Sequence, residues 1–455
     1  MADLFALSSQ VVDTGSTDHL QGPINRISQE LSELGNGIAV VESFSHSVLF
    51  STDAGLVVFD ASGAGTGQAV VESIRRWSKS PFHTVVYTHG HLDHIGGSGS
   101  FLADARAGSG PDPCFIGHDR VRDRIHRYRM TDGYNQAVNN RQFKGFTTRG
   151  YGIGAQSDQP QSGASRMTDK VPPMYTRQYF VPPDVVEPNL TYRSEMSLNV
   201  GGLEIELHHS KGETDDHTWA WIPKSKAICA GDFFIWNFPN CGNPQKVQRY
   251  PAEWASALRS MLAKSPEILL PAHGLPIIGK ERIHMVLNNI ATVLETLVKD
   301  SLELMNQGAT LDDLLHQVKV PADELEKPWL RPLYDEPEFV VRNIWRLYGG
   351  WYDGNPSHLK PAPFDALAQE VAALSGGAYA LCQRAQALSD AGDHKLACHL
   401  IEMAASAEAD NLDVQEARVH IYQQRRDGET SLMAKGIFGT AANDSRKIIS
   451  KLTNQ

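Results

Sequence analysis

The 455 residues, 41% hydrophobic and 21% charged with no low-complexity tract, suffice for two or three units with sizeable cores. A net charge of −11 excludes the broad basic footprint that nucleic acid requires, and no basic stripe runs along the chain. The opening MADLFALSSQVVDTGSTDHL lacks the basic-then-apolar order of a secretory leader, and no stretch reaches the length of a membrane span. A cytoplasmic protein with no membrane span is therefore expected. The five cysteines (Cys114, Cys229, Cys241, Cys382, Cys398) are odd in number and scattered, so they read as small buried hydrophobes rather than a disulfide framework or a thiolate metal site.

Between Gly37 and Asp60, GIAVVESF, HSVLFSTD and GLVVFDAS are β-branched runs separated by turn residues, the pattern of an antiparallel meander. Apolar positions recur at helical spacing from Thr66 to Ser78. FHTVVYTH is an apolar strand that runs directly into histidines, and strands alternating with a helix predict a layered α/β architecture. Residues from about 130 to 190 are rich in Gly, Pro, Ser, Thr, Asn and Gln and read as a long loop of the kind that carries function. Strands resume at MSLNVGGLEIELHHS, where Gly201-Gly202 suits a hairpin turn, and continue through WAWIP, KAICAGD and EILLPAHG. From about Lys280 the pattern is helical. Beyond GGWYDGNPSHLKPAPF the tail reads as about two helix pairs of the tetratricopeptide type, too few for a free-standing solenoid. It is expected to dock on something, a second copy of the chain being one candidate.

The chemistry concentrates in Thr88-His89-Gly90-His91-Leu92-Asp93-His94. Four potential ligands within six residues, at a strand end and ahead of Gly96-Gly97, suit zinc or another first-row divalent metal. In an extended loop, residues two apart point the same way, so His89 and His91 can grip one ion while Asp93 and His94 turn toward a second. The two glycines allow tight backbone turning beside them. The competing reading, histidines clustered on a surface by chance, accounts poorly for the spacing.

This spacing resembles the signature of the metallo-β-lactamase superfamily, which takes further ligands from later strand ends. Glu213 in HHSKGETDDH, Asp232 in ICAGDFF and His273 in LLPAHG each follow a strand-like run. Most of that superfamily carries a histidine where this chain has Glu213. A glutamate there, the distance from it to Asp232, the stretch YGGWYDGNPSHLKPAP and the segment GDHKLACHLIEMAASAEADN all resemble the alkyl sulfatase branch, over roughly residues 35 to 440. The resemblance implies a metallo-β-lactamase αββα sandwich over 1–285, a helical dimerisation, tetratricopeptide-like domain over 286–440, and a tail over 441–455. It implies two zinc ions, His89, His91 and Glu213 holding one, Asp93, His94 and His273 the other, with Asp232 bridging. Asp93 and Asp232 are the catalytic assignments. Two positions depart from the branch: Asp232 stands where it bridges with glutamate, and Gln245 where it carries an arginine.

Residue by residue, other roles compete. Asp232 suits a turn as well as a ligand, and Asp215, Asp216 and His217 lie close enough to rival Glu213. His208, His209 and His217 read as structural groups or as supports behind the ligands. His273, between LLPA and a glycine, is hard to explain as a core histidine. By the resemblance, Tyr134, Asn139, Arg141, Asn240 and Arg249 are the substrate-contacting candidates, against the plain reading of the arginines as solvated surface charges. Trp219, Trp221, Trp236 and Phe238 either line an apolar channel or fill a core.

The function expected is a metal-dependent hydrolase of a small anionic organic ester, sulfate foremost, forming a homodimer. Two metals there would lower the pKa of a shared bridging water to give hydroxide near neutral pH. The alternatives are a sibling hydrolase acting on a lactone, carboxylic ester, phosphoester or carbon–halogen bond, and a non-catalytic metal-binding scaffold that recruits partners through its helical tail.

Overall fold

The structure, a computed structural model, describes residues 3–108, 110–143 and 179–454. The chain divides into two compact units, residues 1–136 with 150–350, and 137–149 with 351–455.

The first unit is built on two sheets. One holds β1 (Leu31–Gly35), β2 (Ile38–Val41), β3 (Ser47–Thr52), β4 (Gly55–Phe59), β5 (Phe82–Val86), β6 (Cys114–His118) and β7 (Leu190–Tyr192), in that order. The other runs β8 (Glu195–Val200), β9 (Leu203–His209), β10 (Thr218–Ile222), β11 (Ala227–Gly231), β12 (Ile268–Pro271) and β13 (Ile277–Ile278). The meander β1–β4 is antiparallel, whereas β4–β7 are parallel neighbours, as are β11 and β12. Gly201 and Gly202 both take positive φ, 52° and 82°, and close the β8–β9 hairpin as its twist requires.

The helices of this unit are α1 (Leu4–Thr14), α2 (Gly67–Trp77), α3 (Leu92–Ile95), α4 (Ser98–Ala107), α5 (Arg120–Met130), α6 (Asp132–Phe143, which runs on into the second unit), α7 (Pro251–Ala263), α8 (Lys280–Asn306), α9 (Leu311–Gln317), α10 (Ala322–Glu326) and α11 (Pro337–Gly349). Alternation along β4 explains the layering. Leu56 and Val58 join Val70, Val71 and Ile74 of α2 and Phe101 of α4 on the outer face. Val57 and Phe59 point the other way, into a core shared with Ile205 and Leu207 of β9 and Ala220 and Ile222 of β10. A strand buried on both faces must be apolar throughout, which is why β4 reads as an unbroken run. The outer face of the second sheet is covered by α1, α7, α8, α9 and α11 in a third core around Trp254 and Leu287. The result is the αββα sandwich.

The second unit is helical: α12 (Pro356–Leu359), α13 (Phe364–Ser375), α14 (Ala378–Asp390), α15 (His394–Ala407), α16 (Leu412–Asp427) and α17 (Leu432–Thr453). Its core is small, centred on Leu381, Ala385, Ala397, Ile401, Ala404, Val414 and Ile421, and alanines there let the helices approach. Five longer helices, more than two pairs, thus complete the tail.

The expected loop over 130–190 is corrected at its start. Residues 132–143 form α6, held by an Asp132–Gln136 side-chain hydrogen bond of 2.6 Å one turn apart. Its run of Asn and Gln hid the helical period. Residues 144–178 of that stretch lie outside the described residues, and 179–189 carry no helix or strand. All five cysteines are unpaired. No helix among the described residues is long and apolar enough to cross a membrane.

Candidate metal centre

The ligand candidates collect where strands of both sheets end. Thr88 to His94 leave β5, Asp232 follows β11 and His273 follows β12, while Glu213 lies in the β9–β10 connection, beside the end of β11. Strand ends are where backbone leaves the ladder and side chains can converge.

Three groups of ligand atoms form there: His89, His91 and Glu213; Asp93, His94 and His273; and His89, His94 and Asp232. In the second group, His94 Nε2 lies 3.4 Å from Asp93 Oδ2, and His273 Nε2 lies 3.4 Å from the same oxygen. Both imidazole nitrogens are also 3.4 Å from Asp232 Oδ1. Four donors at tetrahedral corners about 2.1 Å from a zinc-sized ion are separated by about 3.4 Å. The first group is less regular: His89 Nε2–His91 Nδ1 is 2.8 Å, His91 Nδ1–Glu213 Oε1 3.4 Å, and His89 Nε2–Asp232 Oδ2 4.0 Å. Asp232 therefore offers one oxygen to each group. His94 Nε2, Glu213 Oε2 and Asp232 Oδ1 are buried without a hydrogen-bond partner among the described residues, although buried polar atoms are nearly always satisfied. Divalent ions held by these residues would satisfy them.

Each donor is aimed by a second contact. Asp60, at the end of β4, accepts from His94 Nδ1 at 2.8 Å, from the Thr88 backbone N–H at 2.7 Å and from the Thr88 hydroxyl at 2.8 Å. Its φ of +63° turns the carboxylate toward the cluster. His273 donates through Nδ1 to the Phe44 carbonyl at 2.5 Å, and Asn25 clamps the same corner by donating to that carbonyl and accepting from Gly274 N–H. Asn240 donates to Glu213 Oε1 at 2.5 Å, and Arg249 pairs with the same oxygen at 2.9 Å. Asp216 accepts from the Gly90 N–H at 3.0 Å and pairs with buried Arg124. A Cβ on Gly90 would sit 2.9 Å from both Arg124 Cδ and Asp216 Oδ2, so this turn requires glycine. Gly96 and Gly97 have a different purpose from the turning expected of them: their φ values of −63° and −87° are ordinary. A Cβ on Gly97 would collide with the Ala61 carbonyl and lie 2.7 Å from Gly67 Cα, so what they permit is close backbone approach.

The charges interlock. Burial opposes the charging of His94, but Asp232, Asp93 and Asp60 outweigh it and hold the imidazole well above its ordinary value. His273 is likewise pushed up to about 10, burial notwithstanding, by Asp232 and Asp93. Burial, with Asp232 and Asp93 adding to it, lifts Glu213 to about 8 against the pull of Arg249. Burial also drives His89 and His91 well below the usual imidazole range, keeping them neutral and able to donate. A divalent ion bound among these carboxylates and imidazoles would displace the protons that the raised groups favour.

Of the rivals to Glu213, none joins a ligand group. Asp215 pairs with Arg120 and Arg124, and His217 accepts from the Asp232 N–H through Nε2 while stacking on Phe233. His208 stacks on Trp219 and His209 on His118. Trp219, Trp221, Trp236 and Phe238 belong to the core beneath the second sheet. Of the substrate-contact candidates, Asn240 and Arg249 are buried against Glu213, and Tyr134 is 63% exposed. Asn139 and Arg141 fall in the second unit, where the Arg141 carbonyl accepts from Thr440. Sequence reading missed Asp60, Asn25 and Arg124, and had Asp216 as a rival ligand rather than as the partner of Gly90 and Arg124. Only Asp60 left a trace, as the carboxylate closing the run GLVVFD.

Residues 40–273, more than half of the chain, match the model of the metallo-beta-lactamase superfamily, and residues 310–447 match that of alkyl sulfatase dimerisation. A linear primary-alkylsulfatase of a Pseudomonas species is 26% identical over 350 residues, 74% of this chain and 61% of that protein. An (R)-specific secondary-alkylsulfatase of Pseudomonas sp. is 23% identical over 411 residues, 88% of this chain and 60% of that one. Among solved structures, a stereoselective inverting sec-alkylsulfatase from Pseudomonas sp. superimposes with a TM-score of 0.76 at 23% identity, over 92% of this chain and 66% of the other, a likeness of fold. The chain spans about three fifths of the length of these curated relatives. With the sandwich and the matched span in agreement, the chain belongs to the metallo-beta-lactamase superfamily and carries an alkyl sulfatase dimerisation region.

Proposed function

We propose that the protein is a binuclear zinc hydrolase that cleaves organic sulfate esters and works as a homodimer. The observation that carries the reading is the placement of Asp232, whose two oxygens face two separate ligand groups, one with the 3.4 Å edges of a zinc-sized tetrahedron. Asp93, His94 and His273 would hold one ion, His89, His91 and Glu213 the other. Bound there, two divalent ions would supply a water of lowered pKa and polarise the ester oxygen. The chain's own part is to fix the geometry. Asp60 and the Phe44 carbonyl orient His94 and His273, while Arg249 and Asn240 aim Glu213. The alkylsulfatase relatives support sulfate esters as substrates. The dimerisation match supports a second copy as partner, and the second unit exposes Trp351, Leu359, Phe364, Leu367, Leu374 and Tyr379 within it.

The experiment is hydrolysis of a mixed panel by zinc-loaded protein. Sulfate release from alkyl sulfates that disappears in His91→Ala is the expected result. Turnover of lactones, carboxylic esters or phosphoesters with no sulfate release would instead establish the sibling-hydrolase reading. One observation favours that reading: Arg249 is engaged by Glu213, and neighbouring Gln245 carries no charge.

A further inference from the structure

Glu213 is aimed by Asn240 and Arg249, and both lie on the connection from β11 to α7, residues 232–250, which carries no helix or strand. Arg249 grips the glutamate twice, pairing with Oε1 at 2.9 Å and donating to its backbone carbonyl. Tyr250, the next residue, donates its N–H to the Gly212 carbonyl at 3.0 Å. What fixes the connection comes from α11. Asn343, buried in the middle of that helix, donates through Nδ2 to the Cys241 carbonyl at 2.7 Å and to the Arg249 carbonyl at 3.0 Å. One amide thus ties the neighbour of Asn240 to Arg249 itself. Its Oδ1 accepts from Arg346 at 2.9 Å and from Gln248 at 3.1 Å, so every hydrogen-bonding position of the amide is used. Just ahead of α11, Asp335 accepts from the Gly242 N–H at 2.6 Å. A Cβ on Gly242 would collide with the Val340 nitrogen, so the connection lies directly on the α11 backbone.

We propose that Asn343 is the positioning residue of the Glu213 corner: from α11 it sets Asn240 and Arg249, and through them the carboxylate that completes the His89–His91 group. The inference rests on the metal-centre reading of Glu213. It deepens that reading by making α11, which falls within the span matched by alkyl sulfatase dimerisation but packs in the first unit, part of the site. Asparagine is a weak helix former, and the other inward positions around it, Val340, Val341 and Ile344, are apolar. An apolar side chain at 343 would continue the core but leave the Cys241 carbonyl without this donor, at the cost of a buried polar group unmade. The polar choice is explained by the loop it spans, since one planar group holds two carbonyls of an irregular segment at a fixed separation. The other corner has its own supports. Asp60 and the Phe44 carbonyl aim His94 and His273, and Asp232 follows β11 directly with its N–H held by His217. A change at Asn343 therefore falls on Glu213 first.

The test pairs zinc titration against a chelator, resolved into binding steps, with hydrogen exchange of the metal-free protein. Asn343→Asp keeps the size and the acceptor facing Arg346 while removing both donors, and Asn343→Ser is the second variant should aspartate fail to fold. One zinc step should weaken about tenfold and the other stay within about threefold of the parent. On a Glu213→Gln background the same change should weaken zinc no further, because the group it positions is already gone, whereas on a His273→Ala background its full effect should remain. Exchange should quicken at least about tenfold over residues 240–250 and 212–218 together, and stay unchanged over 89–94. Both steps unchanged, both weakened equally, or an effect that persists in full without Glu213 overturns the proposal and leaves Asn343 a purely structural residue. If the parent itself binds fewer than two zinc ions, the two-ion reading fails on its own and exchange decides: 212–218 opening with 240–250 upholds the positioning role, and 240–250 opening alone overturns it.

Discussion

Replacing Asp60 with asparagine isolates the bracing of His94 from its ligation. Asparagine has the same shape and tolerates the left-handed φ of +63°, so the backbone at the end of β4 should hold. What is lost is the negative oxygen 2.8 Å from His94 Nδ1, the contact that fixes which imidazole nitrogen faces the cluster. Loss of such a supporting contact costs about 10- to 100-fold in metal affinity, equivalent to about 1.4–2.7 kcal/mol per ion. The weakening should fall mainly on the Asp93–His94–His273 group, because Asp60 touches His94 directly and reaches the other group only at His89, through the Thr88 hydroxyl. Competition against a chelator of known zinc affinity, resolved into two binding steps, measures this. Two steps unchanged from the parent, or both weakened equally, would refute the reasoning.

Three further outcomes follow from the same geometry. His273→Ala should leave about one zinc per chain, whereas Asp232→Ala, which removes an oxygen from each group, should leave neither site at full affinity; elemental analysis after desalting separates them. Burial, with Glu30 adding to it, pushes Glu42 up to about 7 against the pull of Arg26. The folded state then holds that proton more tightly than the unfolded chain, so the stability it contributes is present below about pH 4.5 and is lost as pH rises toward 7. Glu42→Gln should therefore remove part of the fall in urea midpoint between about pH 5 and about pH 8 in metal-free protein, and parallel curves would contradict this. Finally, Trp351 and Leu374 are 71% and 87% exposed, so glutamate at both should leave the helical circular dichroism of the monomer unchanged while abolishing any dimer seen by sedimentation.

How much could be read beforehand depended on sequence distance. His89, His91, Asp93 and His94 are legible because all four leave one strand within six residues, so their spacing is itself the geometry. Glu213, Asp232 and His273 needed a family resemblance, since nothing local says that the ends of three separate strands meet. The β4 and β5 runs were legible as strands because burial on both faces demands uninterrupted apolar residues. The braces were not. Asp60 reaches His94 across two strands, Asn25 reaches Gly274 from nearly the far end of the unit, and Arg124 reaches Asp216 from a helix. Contacts of that kind have no period. Helix α6 was missed for the opposite reason, a local order written in residues that usually mark loops.

The ends of both sheets contribute to one cluster, and that has a mechanical meaning. An ion gripped by His94 from the first sheet and His273 from the second would act as a rivet through the sandwich, closing a loop over about half of the unit's length. Separating the layers would then require the rivet to come out first, so the loaded protein should part slowly. Protease should find the chelated chain long before it finds the charged one, whatever ester either of them cleaves.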